Sequence, residues 1–353
     1  MTLDAFALVR SHAPHAEIDL VVGSWNAELA RLIPGVNVAE TLDVPWMARE
    51  SPGVSWSAMV RQARGWRSRR YDLAINFEPD IRSNLLVALS GASRQVGFLS
   101  GGGGALLSVG IEPDRAAHVA TNAKTLVDRA FDKTRLNTPP VAQGFSPVQT
   151  LNIPEDARRR AAELMQREGV NGRPLVGIQP AAGRKVKEWD PVRFAAAGAE
   201  LARSRGACVI LIGSAHDAHA LSAVKAAWPS DLRLIELPVE TNLVELAAVL
   251  ERLSLFITGD TGPMHLAAAV GTPTLAVFGP SLPSRYAPLS PRARIVRIDL
   301  PCSPCNLMRQ PPERCVGIIP DCLSGIETVQ VLQAANGMLD EFTVSIDSDR
   351  LLD

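Results

Sequence analysis

The chain lacks an excess of positive charge, a long apolar run and a secretion signal. Its 353 residues carry 36 Lys and Arg against 37 Asp and Glu, a formal net charge of -1, which argues against nucleic acid as the main partner because phosphate backbones select basic surfaces. No apolar run approaches the roughly 20 residues of a membrane span, and no basic segment followed by an apolar core begins the chain. We therefore expect a cytoplasmic protein.

Cysteine is also scarce. The five cysteines, without a secretion signal, predict reduced thiols rather than a disulfide framework. Four of them lie in a proline-rich stretch with the spacing Cys-x2-Cys-x9-Cys-x6-Cys, namely Cys302, Cys305, Cys315 and Cys322. Four thiolates so close in sequence could hold a structural zinc ion or an iron-sulfur cluster, whereas unligated or redox-active thiols are the alternative. Cys208, in an apolar strand, is expected in the core.

Length and patterning predict two α/β domains. A chain of 353 residues with 46% hydrophobic content exceeds what one core usually accommodates. Apolar strands alternate with helical segments in 17–98 and again, more clearly, in 155–278. Between these halves, residues 137–154 place prolines among polar residues with no helical period. We therefore predict domains at 1–145 and 146–335 and a tail at 336–353, which is acidic and mobile from Glu341 onward.

The most informative segment lies in the second half. An apolar run from Leu253 to Ile257 is followed by Thr-Gly-Asp-Thr-Gly at 258–262, a helix-forming run from Pro263 to Val270 and a second apolar run from Thr274 to Phe278. This pattern predicts a strand, a tight loop, a helix and a strand. Loop amides and the helix N-terminus would converge where partial positive charge favours a phosphate. The segment therefore predicts a phosphorylated ligand.

Two further loops follow predicted strands in the same half. In 179–189, Arg184 and Lys185 either bind phosphate or are solvated surface charges. After the strand at 207–212, Gly213 and Ser214 would let the backbone approach a ligand, and Asp217 either reaches a ribose or begins the next helix. We expect the ligand in a cleft between the two domains, at the carboxyl ends of the strands.

Asp260-Thr261-Gly262 with His265 resembles the Asp-Thr-Gly-x-x-His signature of glycosyltransferase family nine, whose members include the ADP-heptose:lipopolysaccharide heptosyltransferases. Weaker similarities extend the resemblance over roughly residues 3 to 335. The resemblance implies the GT-B architecture, in which two Rossmann-like domains face a cleft. The sugar nucleotide would bind in the carboxyl-terminal half and the acceptor in the amino-terminal half.

The resemblance also implies a role for each loop residue in binding the donor. Lys187 would neutralise the departing diphosphate, where charge develops as the glycosidic bond breaks. Thr261 and Gly262 would present N–H groups to the pyrophosphate, while Asp260 either accepts hydrogen bonds from sugar hydroxyls or caps the following helix. His265 either contacts phosphate or packs within the helix. The complete predicted donor site comprises Ala182, Gly183, Arg184, Lys187, Gly213, Ser214, Asp217, Thr241, Asp260, Thr261, Gly262 and His265.

The family's catalytic base is an aspartate in a Gly-Asp motif just after the first strand, and this sequence shows neither the strand nor the motif. Met1 to Ser11 resembles the end of the first helix, so the first strand of the amino-terminal domain is expected to be missing. Either the true start lies upstream or the protein is an inactive remnant. Glu78 and Asp80, just past a predicted strand, are the candidate substitutes, and surface loop carboxylates are the alternative.

The resemblance implies an inverting, metal-independent glycosyltransferase that requires no cofactor. The resemblance implies transfer of heptose from ADP-heptose to a lipopolysaccharide core or related lipid-linked glycan. A basic helix predicted at 54–69 would face that acceptor, the inner face of a membrane, or solvent. Two alternatives stay open: a sugar-nucleotide epimerase of GT-B architecture, which needs no acceptor, and a catalytically inactive nucleotide-sugar or glycan binding protein.

Overall fold

The computed structural model describes residues 2–47, 53–132, 151–170 and 172–349. The chain divides into two compact units, Met1–Gln149 and Thr150–Asp353. The domain boundary predicted at residue 145 lies outside the described residues. Within the described ranges, no helix is both long and apolar enough to cross a membrane.

The amino-terminal unit contains two small parallel sheets. Its strands are β1 (Asp19–Val22), β2 (Val38–Thr41), β3 (Leu73–Asn76), β4 (Arg94–Phe98) and β5 (Val109–Ile111). Its helices are α1 (Leu3–His12), α2 (Ala27–Arg31), α3 (Trp56–Gly65), α4 (Ile81–Leu89) and α5 (Val119–Phe131). β1 pairs with β2, and β3, β4 and β5 form the second sheet in that order. The predicted absence of a preceding strand stays a prediction.

Helix α3 is amphipathic, as its sequence predicts. Met59 and Ala63, four residues apart, are fully buried and pack in one apolar cluster with Leu42 and Leu86. Arg61 and Arg64 lie on the exposed side of the same helix. This spacing gives one apolar and one cationic face, because residues three or four apart share a helix face.

The carboxyl-terminal unit is built around one larger sheet. Its strands are β6 (Leu175–Gln179), β7 (Cys208–Leu211), β8 (Leu234–Glu236), β9 (Leu255–Gly259), β10 (Thr274–Val277) and β11 (Ala293–Val296). Its helices are α6 (Glu155–Arg167), α7 (Pro191–Arg205), α8 (Ala218–Ala227), α9 (Leu243–Leu250), α10 (Gly262–Ala269), α11 (Pro283–Tyr286), α12 (Asp321–Ser324) and α13 (Thr328–Asp349). All six strands run parallel in the order β8, β7, β6, β9, β10, β11.

This strand order reverses direction between β6 and β9. Every residue of both strands is buried, as expected for central strands of a parallel sheet covered by helices on both faces. The chain moves outward from β6 to β8, returns to β9 and then moves outward on the other side. The loops that follow β6 and β9 diverge at this switch point, which is where open α/β sheets bind ligands.

Helix α13 corrects the tail predicted from residue 336. Residues 336–349 continue the helix that begins at Thr328. Val331, Ala335 and Met338 are buried against the core, because their spacing places them on one helix face. Asp340 and Glu341 are exposed, and Asp340 pairs with Arg205 at 2.6 Å. Residues 350–353 lie outside the described ranges.

Candidate functional site

An ammonium group and a carboxylate meet at the switch point of the carboxyl-terminal sheet. Lys187 Nζ donates to the backbone carbonyl of Asp260 at 2.7 Å and to Asp260 Oδ2 at 3.1 Å. Lys187 lies in the loop after β6, and Asp260 directly follows β9. The two side chains are 16% and 11% exposed. Their attraction is therefore screened less than that of a surface pair, while part of the ammonium stays accessible to a ligand.

Ser281 completes the environment of this carboxylate. Its Oγ donates to Asp260 Oδ2 at 2.5 Å, and Ser281 is 1% exposed. Because Ser281 follows β10, the adjacent strands β6, β9 and β10 each lead into one group of the cluster. Ser281 is absent from the sequence-based prediction. Its position after Gly-Pro at the end of an apolar run was the available signal.

A buried polar network lies beside the pair. Gln179 Oε1 accepts hydrogen bonds from Thr258 Oγ1 at 2.8 Å and from Thr261 Oγ1 at 3.0 Å. All three residues are buried, so their hydrogen bonds are expensive to break. Gln179 ends β6 and Thr258 lies in β9, so the network ties the ends of the two central strands together. Of the three, the sequence-based prediction includes Thr261 alone.

The N-terminus of α10 carries the predicted phosphate loop. Thr261 is its N-cap residue and its hydroxyl accepts from the backbone N–H of Met264 at 3.4 Å. The alternative in which Asp260 caps this helix is therefore wrong. Gly262 begins the helix and is exposed, and a Cβ placed on it would meet no heavy atom within 4 Å. The partial positive charge of the helix terminus thus faces space that a phosphate group can enter.

In the loop between β6 and α7, the residues near Lys187 differ in how much of their surface is exposed to solvent. Ala182 is half-buried, whereas Gly183 and Arg184 are exposed. The backbone N–H of Ala182 donates to Glu188 Oε1 at 3.4 Å. Burial raises the pKa of the Glu188 carboxyl, opposed by the Ala182 hydrogen bond and by the charge of Lys185. Glu188 is a titratable group of this loop that the sequence-based prediction omits.

The loop after β7 is organised by its own hydrogen bonds. Asp217 Oδ2 accepts from the backbone N–H of Ser214 at 2.8 Å and from its hydroxyl at 2.9 Å. This capping arrangement is what the helix-start alternative for Asp217 describes. A Cβ on Gly213 would lie 2.7 Å from the side chain of Leu221, so glycine is needed there for packing.

Two other predicted donor residues lie at helix beginnings. Thr241 Oγ1 donates to the carbonyl of Pro238 at 2.6 Å in the turn before α9. His265 is half-buried in the first turn of α10. The structure therefore brings Lys187, Asp260, Thr261 and Gly262 together, while Thr241 hydrogen-bonds within its own turn. The donor-binding roles of all these residues stay predictions.

The candidate bases lie in the amino-terminal unit, just after β3. Asp80 accepts from Arg82 Nε at 2.9 Å and from Arg82 Nη2 at 2.6 Å, and it also caps α4. These hydrogen bonds to Arg82 lower the pKa of the Asp80 carboxyl, which weakens it as a proton acceptor. Glu78 Oε2 instead accepts from Ser83 Oγ at 2.5 Å and from Trp46 Nε1 at 3.4 Å.

The clustered cysteines share one cavity of about 270 Å³ in the carboxyl-terminal unit. It is lined by thiols of different exposure, namely exposed Cys302, half-buried Cys305 and Cys315, and buried Cys322. Burial raises the pKa of the Cys322 thiol. Among the described residues, no three metal-binding side chains are grouped so as to hold an ion, and metal binding here stays a prediction. Cys208 is buried in β7, which confirms it as a core residue.

Fold and site together define an α/β protein with a partly buried lysine and a helix N-terminus at the carboxyl ends of its strands, groups of the kind that suit a phosphorylated ligand. Comparison with known families gives the more specific assignment. Residues 59–315 match glycosyltransferase family 9 (heptosyltransferase). The chain belongs to this family and is a glycosyltransferase.

Individual relatives agree with this assignment. The chain is 26% identical over 302 residues to lipopolysaccharide heptosyltransferase 2 of Escherichia coli (strain K12), covering 84% of each protein. It is 25% identical over 301 residues to lipooligosaccharide heptosyltransferase 2 of Haemophilus influenzae, again covering 84% of each. Both matches span most of the relative's length.

Solved structures share the fold. The E. coli ADP-heptose lps heptosyltransferase II superposes with a TM-score of 0.76 at 23% identity, covering 96% of this chain and 94% of that one. The family 9 glycosyl transferase from Veillonella parvula DSM 2008 superposes with a TM-score of 0.80 at 23% identity, covering 96% and 93%. These likenesses confirm the predicted α/β fold class of GT-B type.

Proposed function

We propose that this glycosyltransferase moves a heptose from ADP-heptose to a lipopolysaccharide core or related lipid-linked glycan, with inversion at the anomeric carbon. The observation that carries the proposal is the Lys187–Asp260 pair at the switch point of the carboxyl-terminal sheet. Support for the donor and acceptor comes from the relatives, whose names include lipopolysaccharide heptosyltransferase 2 and ADP-heptose lps heptosyltransferase II.

The pair has unused hydrogen-bonding capacity that suits a nucleotide sugar. An ammonium group has three donors, and among the described contacts of Lys187 two go to Asp260. The third donor is available to a diphosphate oxygen. On Asp260 both described side-chain bonds use Oδ2, which leaves Oδ1 to accept from a hydroxyl of the donor sugar.

These groups stabilise the leaving group in the proposed reaction. As the bond between the anomeric carbon and the diphosphate oxygen breaks, negative charge grows on that oxygen. The Lys187 ammonium and the N–H groups at the start of α10 compensate this charge more strongly in the transition state than in the ground state. The proposal therefore assigns charge compensation to the chain's own groups and requires no cofactor.

Inversion needs an acceptor hydroxyl to attack the face opposite the diphosphate in a single displacement, losing its proton to a base. Of the two candidates in the amino-terminal unit, Glu78 suits this role better than Asp80. Asp80 is paired with Arg82, which lowers its pKa, whereas Glu78 accepts from neutral Ser83 and Trp46.

A cytoplasmic enzyme acting at the inner face of a membrane fits the proposed acceptor. Five exposed arginines lie on α3 and in the turn after it. None of them forms an ion pair with a residue that the structure describes. They are Arg61, Arg64, Arg67, Arg69 and Arg70. Cationic runs of this kind are attracted to anionic lipid headgroups and to phosphorylated glycans.

Acceptor dependence tests the proposal. The chain would be incubated with ADP-heptose and a heptose-deficient core oligosaccharide, and ADP release and the glycan product measured by mass spectrometry, with the anomeric configuration read by NMR. We expect ADP release only when both substrates are present. Sugar chemistry without any acceptor would favour the epimerase, and nucleotide binding with no turnover would favour the non-catalytic binding protein.

A matched pair of lysine variants localises the activity. Lys187→Met removes the ammonium at the switch point and should abolish transfer. Lys225→Met removes an ammonium that is 45% exposed and paired with Glu236 on α8 and β8, and should leave transfer unchanged. Equal activity of the two variants would contradict the assigned donor site.

A further inference from the structure

An aromatic surface of the amino-terminal unit is unused by the donor chemistry. The rings of Trp46 and Trp56 are stacked, with centroids 5.7 Å apart and an interplanar angle of 28°. The guanidinium carbon of Arg82 lies 4.2 Å from the centroid of Trp46. We refer to Trp46, Trp56 and Arg82 as the tryptophan stack. Trp46 follows β2 and Arg82 follows β3, so the stack lies at carboxyl ends of strands, where α/β proteins place their ligands.

The stack is ordered before any ligand arrives. Trp46 packs against an apolar cluster that includes Leu42 and Met59, and its Nε1 donates to Glu78 Oε2 at 3.4 Å. Arg82 is fixed by its two hydrogen bonds to Asp80. A surface that is already rigid loses little conformational entropy on binding, which favours its use as a binding platform.

Trp56 contributes little to the fold that a smaller residue would not supply. It is the first residue of α3 and is 47% exposed. The helix start is capped by Ser55, whose Oγ accepts from Ala58 N–H at 3.3 Å, and its buried face is provided by Met59 and Ala63. Leaving half an indole in water forgoes hydrophobic stabilisation of about 25 cal/mol per Å². The exposed part of the Trp56 ring is therefore available to a ligand.

We propose that the tryptophan stack is a sugar-binding platform, on which the exposed face of Trp56 takes the C–H face of a pyranose ring. The negative face of an indole attracts the polarised C–H hydrogens of such a ring. Glu78 and Asp80 lie at the edge of the stack through their bonds to Trp46 and Arg82 and accept hydrogen bonds from ring hydroxyls. As the acceptor subsite, the platform rests on the proposed transferase function.

The chemistry of the patch favours a sugar over a protein or lipid partner. A docking protein needs a contiguous apolar area of several hundred Å² per partner. Here the exposed indole of Trp56 stacks on Trp46, which in turn contacts the guanidinium group of Arg82 and the carboxylate of Glu78. A flat apolar face with carboxylates at its rim matches the alternation of C–H and hydroxyl groups on a pyranose.

Titration of the full chain with sugar tests the platform directly. The probes are methyl β-glucopyranoside and the soluble core oligosaccharide released from lipopolysaccharide by mild acid, with binding followed by calorimetry. We expect Trp56→Ala to raise the dissociation constant for the oligosaccharide by about fivefold or more, and Trp56→Phe, which keeps a flat ring, to recover most of the affinity. Val329→Ala, which trims a side chain 51% exposed on α13, is the matched control and should not change it.

Circular dichroism and calorimetric binding of ADP to Trp56→Ala show whether that variant is folded, and Trp56→Phe keeps the test valid if it is not. Equal oligosaccharide affinity in the wild-type chain and in folded Trp56→Ala would overturn the platform, as would absence of binding of either probe to the wild-type chain. If Trp56→Ala weakens sugar binding but no transfer from ADP-heptose occurs, the platform stands as a glycan site and the proposed function fails. If transfer occurs with an unchanged acceptor KM in Trp56→Ala, the function stands and the platform fails.

Discussion

Lys187 and Asp260 are joined twice, because one ammonium donates to both the backbone carbonyl and the carboxylate of the same residue, at 2.7 and 3.1 Å. The contact links the loop after β6 to the loop after β9, the two strands between which the sheet order reverses. One side chain therefore links the two loops of the candidate donor site while its own charge remains there.

We expect the effects of substituting Lys187 and Asp260 on the free energy of unfolding to be coupled. Lys187→Met leaves the carboxylate of Asp260 without its cation in a largely buried position and should lower the free energy of unfolding by about 3 kcal/mol. Adding Asp260→Asn should recover much of this loss, because no uncompensated charge then remains. Urea unfolding of the wild-type chain, both single variants and the double variant measures the coupling. Purely additive losses would show that the two side chains do not interact.

We expect Gln179 to stabilise the fold by accepting hydrogen bonds from the hydroxyls of Thr258 and Thr261. Gln179→Leu leaves Thr258 and Thr261 without their shared acceptor inside the sheet, at an expected cost of about 1–3 kcal/mol in the free energy of unfolding. The two hydroxyl oxygens lie 3.2 Å apart, so one hydroxyl can still donate to the other and a single donor is left unsatisfied. An unfolding free energy within about 0.5 kcal/mol of wild type for Gln179→Leu would argue against the network.

A substitution at Gly262 tests ligand binding without disturbing the fold. A Cβ there meets no heavy atom within 4 Å, so Gly262→Ala should fold normally, while its methyl group occupies space beside the N-terminus of α10 and weakens nucleotide binding. Gly337→Ala in α13 is the matched control, since a Cβ at that position is equally unobstructed and should change stability without changing nucleotide affinity. Undiminished binding by Gly262→Ala would place the diphosphate elsewhere.

Glu188 predicts a specific pH dependence of stability. Burial raises its pKa above the ordinary value of 4.5, so the folded state binds this proton more tightly than the unfolded state. The contribution is fully present below pH 4.5 and is lost as the pH rises through the raised pKa. Thermal unfolding at pH values from about 4 to 7 should therefore show Glu188→Gln gaining stability relative to wild type. A constant difference across that range would contradict the raised pKa.

The thiols that line the cysteine cavity should differ in reactivity. Exposed Cys302 should react first with a thiol reagent under native conditions, and Cys322 should react slowly because burial raises its pKa. Peptide mapping by mass spectrometry identifies the order, with Cys302→Ser as control. Joint protection of all four thiols, released by a chelator, would instead support the predicted metal.

Many helices and strands could be predicted from the sequence because nearby residues set where they begin and end. The sequence pattern predicts a helix at Pro191–Arg205 and a strand at Leu175–Gln179, and α7 and β6 have these bounds. α7 begins at Pro191 after the capping side chain of Asp190 and ends at Arg205, before Gly206, which adopts a left-handed conformation with φ of 61°. β6 is a short, wholly buried apolar run.

The missed site residues depend on strand order. Gln179 and Ser281 are ordinary polar residues at strand ends, and their partners lie 82 and 21 residues away in sequence. Their roles emerge only once β6, β9 and β10 are known to be neighbours. The part of α13 after residue 335 was missed for a different reason, since the acidic composition of the tail hid the buried positions at Met338 and Leu339.

The most direct test of the donor site is calorimetric binding of ADP, UDP, GDP and dTDP to the wild-type chain, Lys187→Ala and Asp260→Ala, with folding checked by circular dichroism. We predict selective binding of ADP that both substitutions weaken, because the diphosphate relies on the Lys187 ammonium and on the loop that Asp260 anchors. Failure of a folded wild-type chain to bind any of the four nucleotides, or binding that neither substitution affects, would contradict a diphosphate site at the switch point.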